Sequence, residues 1–165
     1  MSSDAESFSP SGTWATFKLA DELFAVPVEE VQEVLMHQPL TPIPLAPAHI
    51  VGLLNLRGQI MPAIDLRRRL HFAPLTSEHS GSIIVLKSRG HMVSLLVDEI
   101  GDVLPLAHSL WRPTPDTLPA RHRIFVFGIC PTQGEIVLGL RVDTLSGDDE
   151  LPGEAASRLS DLVHA

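Results

Sequence analysis

"FAVPVEEVQEVL" (residues 24–35) and "VSLLVDEIGDVL" (residues 93–104) together decide the architecture. Laid over one another, Val28/Val97, Glu30/Glu99, Val34/Val103 and Leu35/Leu104 are identical. Glu29/Asp98, Val31/Ile100 and Glu33/Asp102 match in kind. A second overlay, "IVGLLNLRGQIMPAID" (50–65) on "VFGICPTQGEIVLGLR" (126–141), sets Gly52 on Gly128 and Gly58 on Gly134. The offset is 69 residues in the first overlay and 76 in the second, because the second proline-rich connector is longer. One order therefore occurs twice: strand, strand, acidic bend, proline connector, then Gly–strand–Gly–strand. Each half holds about five short strands, enough for a small closed β-barrel, which leaves no sheet edge open.

Local patterns agree with this division. "TWATFKL" (13–19) and "LFAVPV" (23–28) flank a polar turn, as a hairpin does. "HIVGLLNL" and "QIMPAIDL" meet across Arg57-Gly58, where Gly58 supplies the positive φ of a tight turn. "PLTPIPLAP" (39–47) has four prolines in nine residues and reads as an extended connector. Read alone, "EEVQEVLMHQ" fits a short helix or a kinked strand. Its second copy, "IGDVLPL", decides, since Gly101 and Pro105 would cost a helix interior about 1 and 3 kcal/mol. Val31–Met36 and Ile100–Leu106 are thus expected as strands after a bend at the acidic pair. The expected organisation is a flexible tail (1–12), a first barrel (about 13–72), a second barrel (about 80–147) and a C-terminal helical tail (148–165).

Composition narrows function. The chain has 165 residues, 44% hydrophobic and 19% charged, as in a folded globular protein. A formal charge of −8 argues against a nucleic-acid backbone as partner, and the absence of tyrosine argues against base-stacking platforms. One cysteine, Cys130, allows no internal disulfide and suits a reducing compartment. The N-terminal residues lack a signal-peptide pattern and no run of ~18 apolar residues occurs, so a cytoplasmic location without membrane insertion is expected.

No residue pattern announces catalysis. The acid pairs Glu29-Glu30 and Asp98-Glu99 fall at equivalent bends, which marks a structural repeat rather than one converging site. The eight histidines show no zinc-ligand spacing, and no glycine-rich phosphate loop or nucleophile elbow is present. No metal, cofactor or catalytic residue is expected. Asp65 is read as the cap of a helix beginning "LRRRL". Arg67, Arg68 and Arg69 are read as a solvated turn with one arginine pairing an acid. Cys130 is read as a small core residue. Gly52, Gly58 and Asp65 are the expected structural turn positions.

"FAVPVEEVQEVL…TPIPLAPAHIVGLLNLRGQIMPAIDLRRRL", continued by "SIIVLKSRGHMVSLLVDEIGDVLPL" and "WRPTPD", resembles the CheW family of chemotaxis coupling proteins. The resemblance covers about residues 13 to 147. It implies a mainly β fold of two SH3-like five-stranded barrels, with short connecting helices and a C-terminal helix. It also implies a non-enzymatic adaptor joining the cytoplasmic tip of chemoreceptors to the regulatory domain of a CheA-type histidine kinase, recruited to receptor arrays at the inner face of the membrane. An adaptor of a related pathway, such as pilus-based surface motility, is the alternative. By motif position Val31, Glu33 and Arg57 fall where the family contacts receptors. One departure is visible: Arg141 stands where the family often has an acid, and Asp143 is a candidate to take over part of that role.

Overall fold

The computed structural model describes residues 9–36, 38–73 and 81–145. The expected C-terminal helix lies outside the described residues. Among the described residues ten strands form: β1 (Thr13–Leu19), β2 (Glu22–Pro27), β3 (Val31–Leu35), β4 (Ile50–Leu56), β5 (Gln59–Asp65), β6 (Ser82–Ser88), β7 (His91–Val97), β8 (Glu99–Pro105), β9 (Val126–Thr132) and β10 (Glu135–Leu140). Two four-residue helices, Leu66–Arg69 and Ala120–Arg123, and short 3-10 turns complete the described structure. The protein is mainly β, as expected.

Four hairpins are built alike. Ala20-Asp21, Arg57-Gly58, Arg89-Gly90 and Gln133-Gly134 each place two successive residues at positive φ. Type I′ turns need that combination, and their twist matches that of the paired strands. The acidic stretches form bends and not turns. A 3-10 turn at Val28–Glu30 separates β2 from β3, and Asp98 alone separates β7 from β8. Neither reverses the chain, so β3 cannot fold back on β2, nor β8 on β7.

The strands consequently do not sort into sheets as 13–72 and 80–147. One sheet has the order β8-β1-β2-β10-β9 and the other β3-β6-β7-β5-β4. Each takes its first hairpin from one copy of the repeat and its last three strands from the other. The expected barrel boundaries are corrected accordingly: two five-stranded units exist, but the halves of the chain are exchanged between them. The parallel contacts β2–β10 and β5–β7 join the copies at equivalent places.

The connectors cover sheet edges. Thr41 bridges Leu53 on the outer edge of β4, and Arg112 bridges Ile129 on the outer edge of β9. Each bridge has two backbone hydrogen bonds, 2.8 and 3.0 Å in the first and 2.7 and 2.9 Å in the second. This accounts for Gly52 and Gly128. A Cβ on Gly52 would lie 2.8 Å from the Thr41 carbonyl oxygen, and one on Gly128 would lie 2.7 Å from that of Arg112. Gly52 is therefore not a turn residue; it sits inside β4 where another backbone passes too close for a side chain.

One large core cluster joins the sheets and includes Phe17, Phe24, Leu86, Leu95, Ile64 and Leu140. Each sheet also has a smaller cluster of its own. Trp14, Cys130 and Val137 pack in one, and Ile83, Leu54 and Met61 occupy the equivalent places in the other. Cys130 is small because the tryptophan beside it is large, in keeping with native packing density. Residues 9–12, expected within a flexible tail, are instead tied down: Glu29 accepts from the Ser9 hydroxyl at 2.5 Å and from the Ser11 amide at 3.0 Å.

Candidate functional site

The docking residues that the resemblance implies, Val31, Glu33 and Arg57, lie on β3 and at the β4–β5 tip. β3 and β4 are opposite edges of one sheet, so sequence gives no reason for them to meet. They meet because the sheet curls until its two edges approach, which the Arg57–Glu33 contact shows, and Thr41 of the connector bridges Leu53 on the β4 edge. Arg57 donates from Nη2 to Glu33 Oε2 at 2.5 Å and from Nη1 to Oε1 at 3.3 Å. Gly58 N–H donates to Asn55 Oδ1 at 3.1 Å, which fixes the turn that presents the arginine.

The pair is open to solvent. The Arg57 side chain is 72% exposed and that of Glu33 29%. Hydrogen bonding from Arg57 holds the Glu33 carboxyl below the usual carboxylate range. Two of the guanidinium's five N–H groups serve Glu33, which leaves an outward fork for carboxylates or carbonyls.

Val31 does not stand beside this pair as an exposed contact. It is partly buried and packs on the central core. Alternation along β3 turns Val34 outward instead, 48% exposed, and Met36 beyond the strand end is 72% exposed. Sequence reasoning singled out Val31 and left Met36 unassigned. The outward phase of Gln32, Val34 and Met36 was available from period two once β3 was known to be an edge strand.

The charged positions after β5 and β10 show what the departure at Arg141 does. Asp65 accepts from the Arg67 and Arg68 amides and so caps the Leu66–Arg69 helix. Arg141, its counterpart, makes no side-chain cap. Asp143 does not replace it; it pairs with Arg89 of the β6–β7 turn at 3.3 Å. The three arginines are not a solvated turn either. Arg67 grips Asp98 through Nε and Nη2 at 2.8 and 2.5 Å. Arg69 is buried, donates to the Leu145 and Thr144 carbonyls and lies 4.7 Å above the Phe125 ring. Only Arg68, 3.4 Å from Asp65, is half exposed.

Among the described residues no group of three or more His, Cys, Asp or Glu side chains is placed to hold a metal, and no helix is long and apolar enough to cross a membrane.

Comparison with known proteins places this geometry. The CheW-like domain model matches residues 13–150. Chemotaxis protein CheW of Rhizobium meliloti is 31% identical over 134 residues, 81% of this chain and 86% of its own. Protein FrzA of Myxococcus xanthus is 39% identical over 119 residues, 71% of this chain and 74% of its own. The crystal structure of the scaffolding protein TtCheW from Thermoanaerobacter tengcongensis aligns with a TM-score of 0.76 at 28% identity, covering 85% of this chain and 98% of that one. A match across both sheets and both acidic bends shows that the chain belongs to the CheW-like domain family of chemotaxis scaffold proteins.

Proposed function

We propose that this protein is a non-enzymatic adaptor that couples methyl-accepting chemoreceptors to a CheA-type histidine kinase. The observation that supports the reading is the exposed Arg57–Glu33 fork at the curled edge of the second sheet, within a family match that spans both sheets. A receptor tip is a helical hairpin, and its side chains and free carbonyls suit a planar, solvent-exposed guanidinium. Val31 contributes from beneath, by holding β3 in place against the core. The work of such a protein is geometric: it holds receptor and kinase regulatory domain in one orientation at the inner face of the membrane.

Arg57→Ala separates docking from stability. An exposed ion pair adds little to folding, so the melting temperature should stay close to the parent's. Affinity for a soluble receptor-tip fragment should fall roughly tenfold or more, the effect of losing a charge-assisted hydrogen bond. Glu33→Ala should weaken binding less, because it removes the residue that orients the fork and leaves the fork itself. Calorimetry with the fragment checks both. A variant that binds like the parent would remove Arg57 from the interface.

A match to a relative that is not itself named CheW leaves a second reading, an adaptor of the same fold serving a related pathway; pilus-based surface motility is the candidate. Deletion strains discriminate the two: loss of swimming-based chemotaxis with intact surface spreading supports the first, and the reverse supports the second.

A further inference from the structure

The two crossovers between the sheets are equivalent by repeat but not by chemistry. At the second, Asp98 is held by Arg67, by the Ala20 amide at 2.9 Å and through its own amide by the Lys18 carbonyl at 3.1 Å. At the first, the position equivalent to Arg67 is Asp143, so the charge is reversed. The carboxylate equivalent to Asp98, Glu29, turns away to Ser9 and Ser11. A cavity of about 60 Å³ remains, lined by Pro27, Glu30, Ser88, Arg89, Leu140, Val142 and Asp143.

Glu30 stands in the wall of this cavity. Its Oε1 accepts a long 3.4 Å bond from the Ser88 hydroxyl. Its Oε2 is buried without a hydrogen-bond partner among the described residues. Three other charges act on it. Asp143, from the turn after β10, and the neighbouring Glu29 oppose ionisation, and Arg89, from the β6–β7 turn, favours it. Arg89 already pairs with Asp143. A buried carboxylate oxygen without a donor is costly when ionised. A proton on Glu30 removes that charge and leaves a neutral carboxyl beside Ser88.

We propose that the β2–β3 crossover is a proton-binding switch: Glu30 holds a proton while the crossover is packed and releases it as the start of β3 loosens. Burial, opposed by the Ser88 bond, pushes the Glu30 carboxyl above the ordinary glutamate range. A group raised on folding stabilises the folded state fully at pH values below its unfolded pKa. That contribution is lost as pH rises through the raised folded value. Glu29 next to it runs the other way: burial opposes it, but hydrogen bonds from Ser11 and Ser9 lower it to about 2. Because this carboxylate is exposed, solvent screening keeps its contribution small; it is present above the ordinary glutamate range and is lost only as pH falls towards that value. The two neighbouring acids thus respond to opposite ends of the pH scale. Because Glu30 directly precedes Val31, its ionisation acts on the strand that carries Glu33.

The test uses the full chain. The Glu30 carboxyl is followed by carbon NMR across pH, and parent, Glu30→Gln and Glu99→Gln are melted from pH 4.5 to 8. Glu99 is the exposed equivalent in the second copy. The expected result is an upward-shifted Glu30 titration, with parent stability declining over that window. Glu30→Gln should lose the decline, melt a few degrees above the parent at pH 7.5, and show slower β3 amide exchange at the same pH. Glu99→Gln should follow the parent. A Glu30 carboxyl titrating at or below the ordinary value would overturn the proposal. So would a Glu30→Gln variant that keeps the parent's pH slope or melts below it at pH 7.5.

Discussion

Gly52→Asp should abolish stable folding. The new Cβ would meet the Thr41 carbonyl oxygen at 2.8 Å and the Leu40 Cβ at 3.1 Å. The first is backbone and is fixed by the paired Thr41–Leu53 hydrogen bonds, so it cannot swing aside. The connector would have to lift from β4, which would expose that edge and uncover the partly buried Leu40. The carboxylate would also face a carbonyl oxygen in a packed site, where an unpaired charge is costly. Steric and electrostatic costs together exceed ~4 kcal/mol, a large part of the 5–15 kcal/mol that typically holds a domain together. Gly52→Ala keeps the clash and omits the charge, so it should be destabilised but foldable. Gly58→Ala isolates backbone conformation, since φ is +87° there and nothing lies within 4 Å; a cost of about 1 kcal/mol is expected. Urea unfolding of the three variants should rank them Gly52→Asp, Gly52→Ala, Gly58→Ala. If Gly52→Asp unfolds like the parent, the connector does not seal β4.

Asp98→Ala should be the most damaging change among the charged residues at the crossovers. The Arg67 and Asp98 side chains are each only 15% exposed. The carboxylate serves the guanidinium and the Ala20 amide at once. Truncation leaves a mostly buried arginine and a backbone N–H without their acceptor. Breaking a fully buried pair costs ~3–5 kcal/mol; with partial solvent access about 2–4 kcal/mol is expected. For a chain of this length that lowers the melting temperature by roughly 5–15 °C. Glu29→Ala, at the equivalent bend, removes only an exposed carboxylate's bonds to Ser9 and Ser11 and should melt near the parent. Equal melts for the two variants would mean that the crossovers are held by strand pairing alone.

These expectations draw on different depths of the sequence. The hairpins were legible because a two-residue turn between alternating strands is a local event. Arg57-Gly58 and Gln133-Gly134 show it directly. The bend at the acidic pairs was legible only by comparing the two copies, since Gly101 and Pro105 exclude the helix that "EEVQEVLMHQ" alone permits. The cap at Asp65 was legible because the backbone N–H donors it accepts from lie two and three residues on. Arg69 was not, because a "LRRRL" run looks solvated until the last described residues of the second copy close over it. Nor was the meeting of Glu33 with Arg57, since it depends on the curl of a sheet whose edges they occupy.

The sequence by itself determined about five strands in each half, their hairpins, two bends and a two-fold repeat. Each rests on interactions within a few residues or on the comparison of one copy with the other. Only the tertiary structure decided which sheet each strand joins. Two similar copies present similar edges, so a hydrophobic pattern satisfied by pairing β3 with its own hairpin is equally satisfied by pairing it with β6. The choice falls to the bends. Three residues at Val28–Glu30 and one at Asp98 redirect the chain without reversing it. The strand that follows each bend is therefore carried past its own hairpin to the partner's, and the two halves interlock.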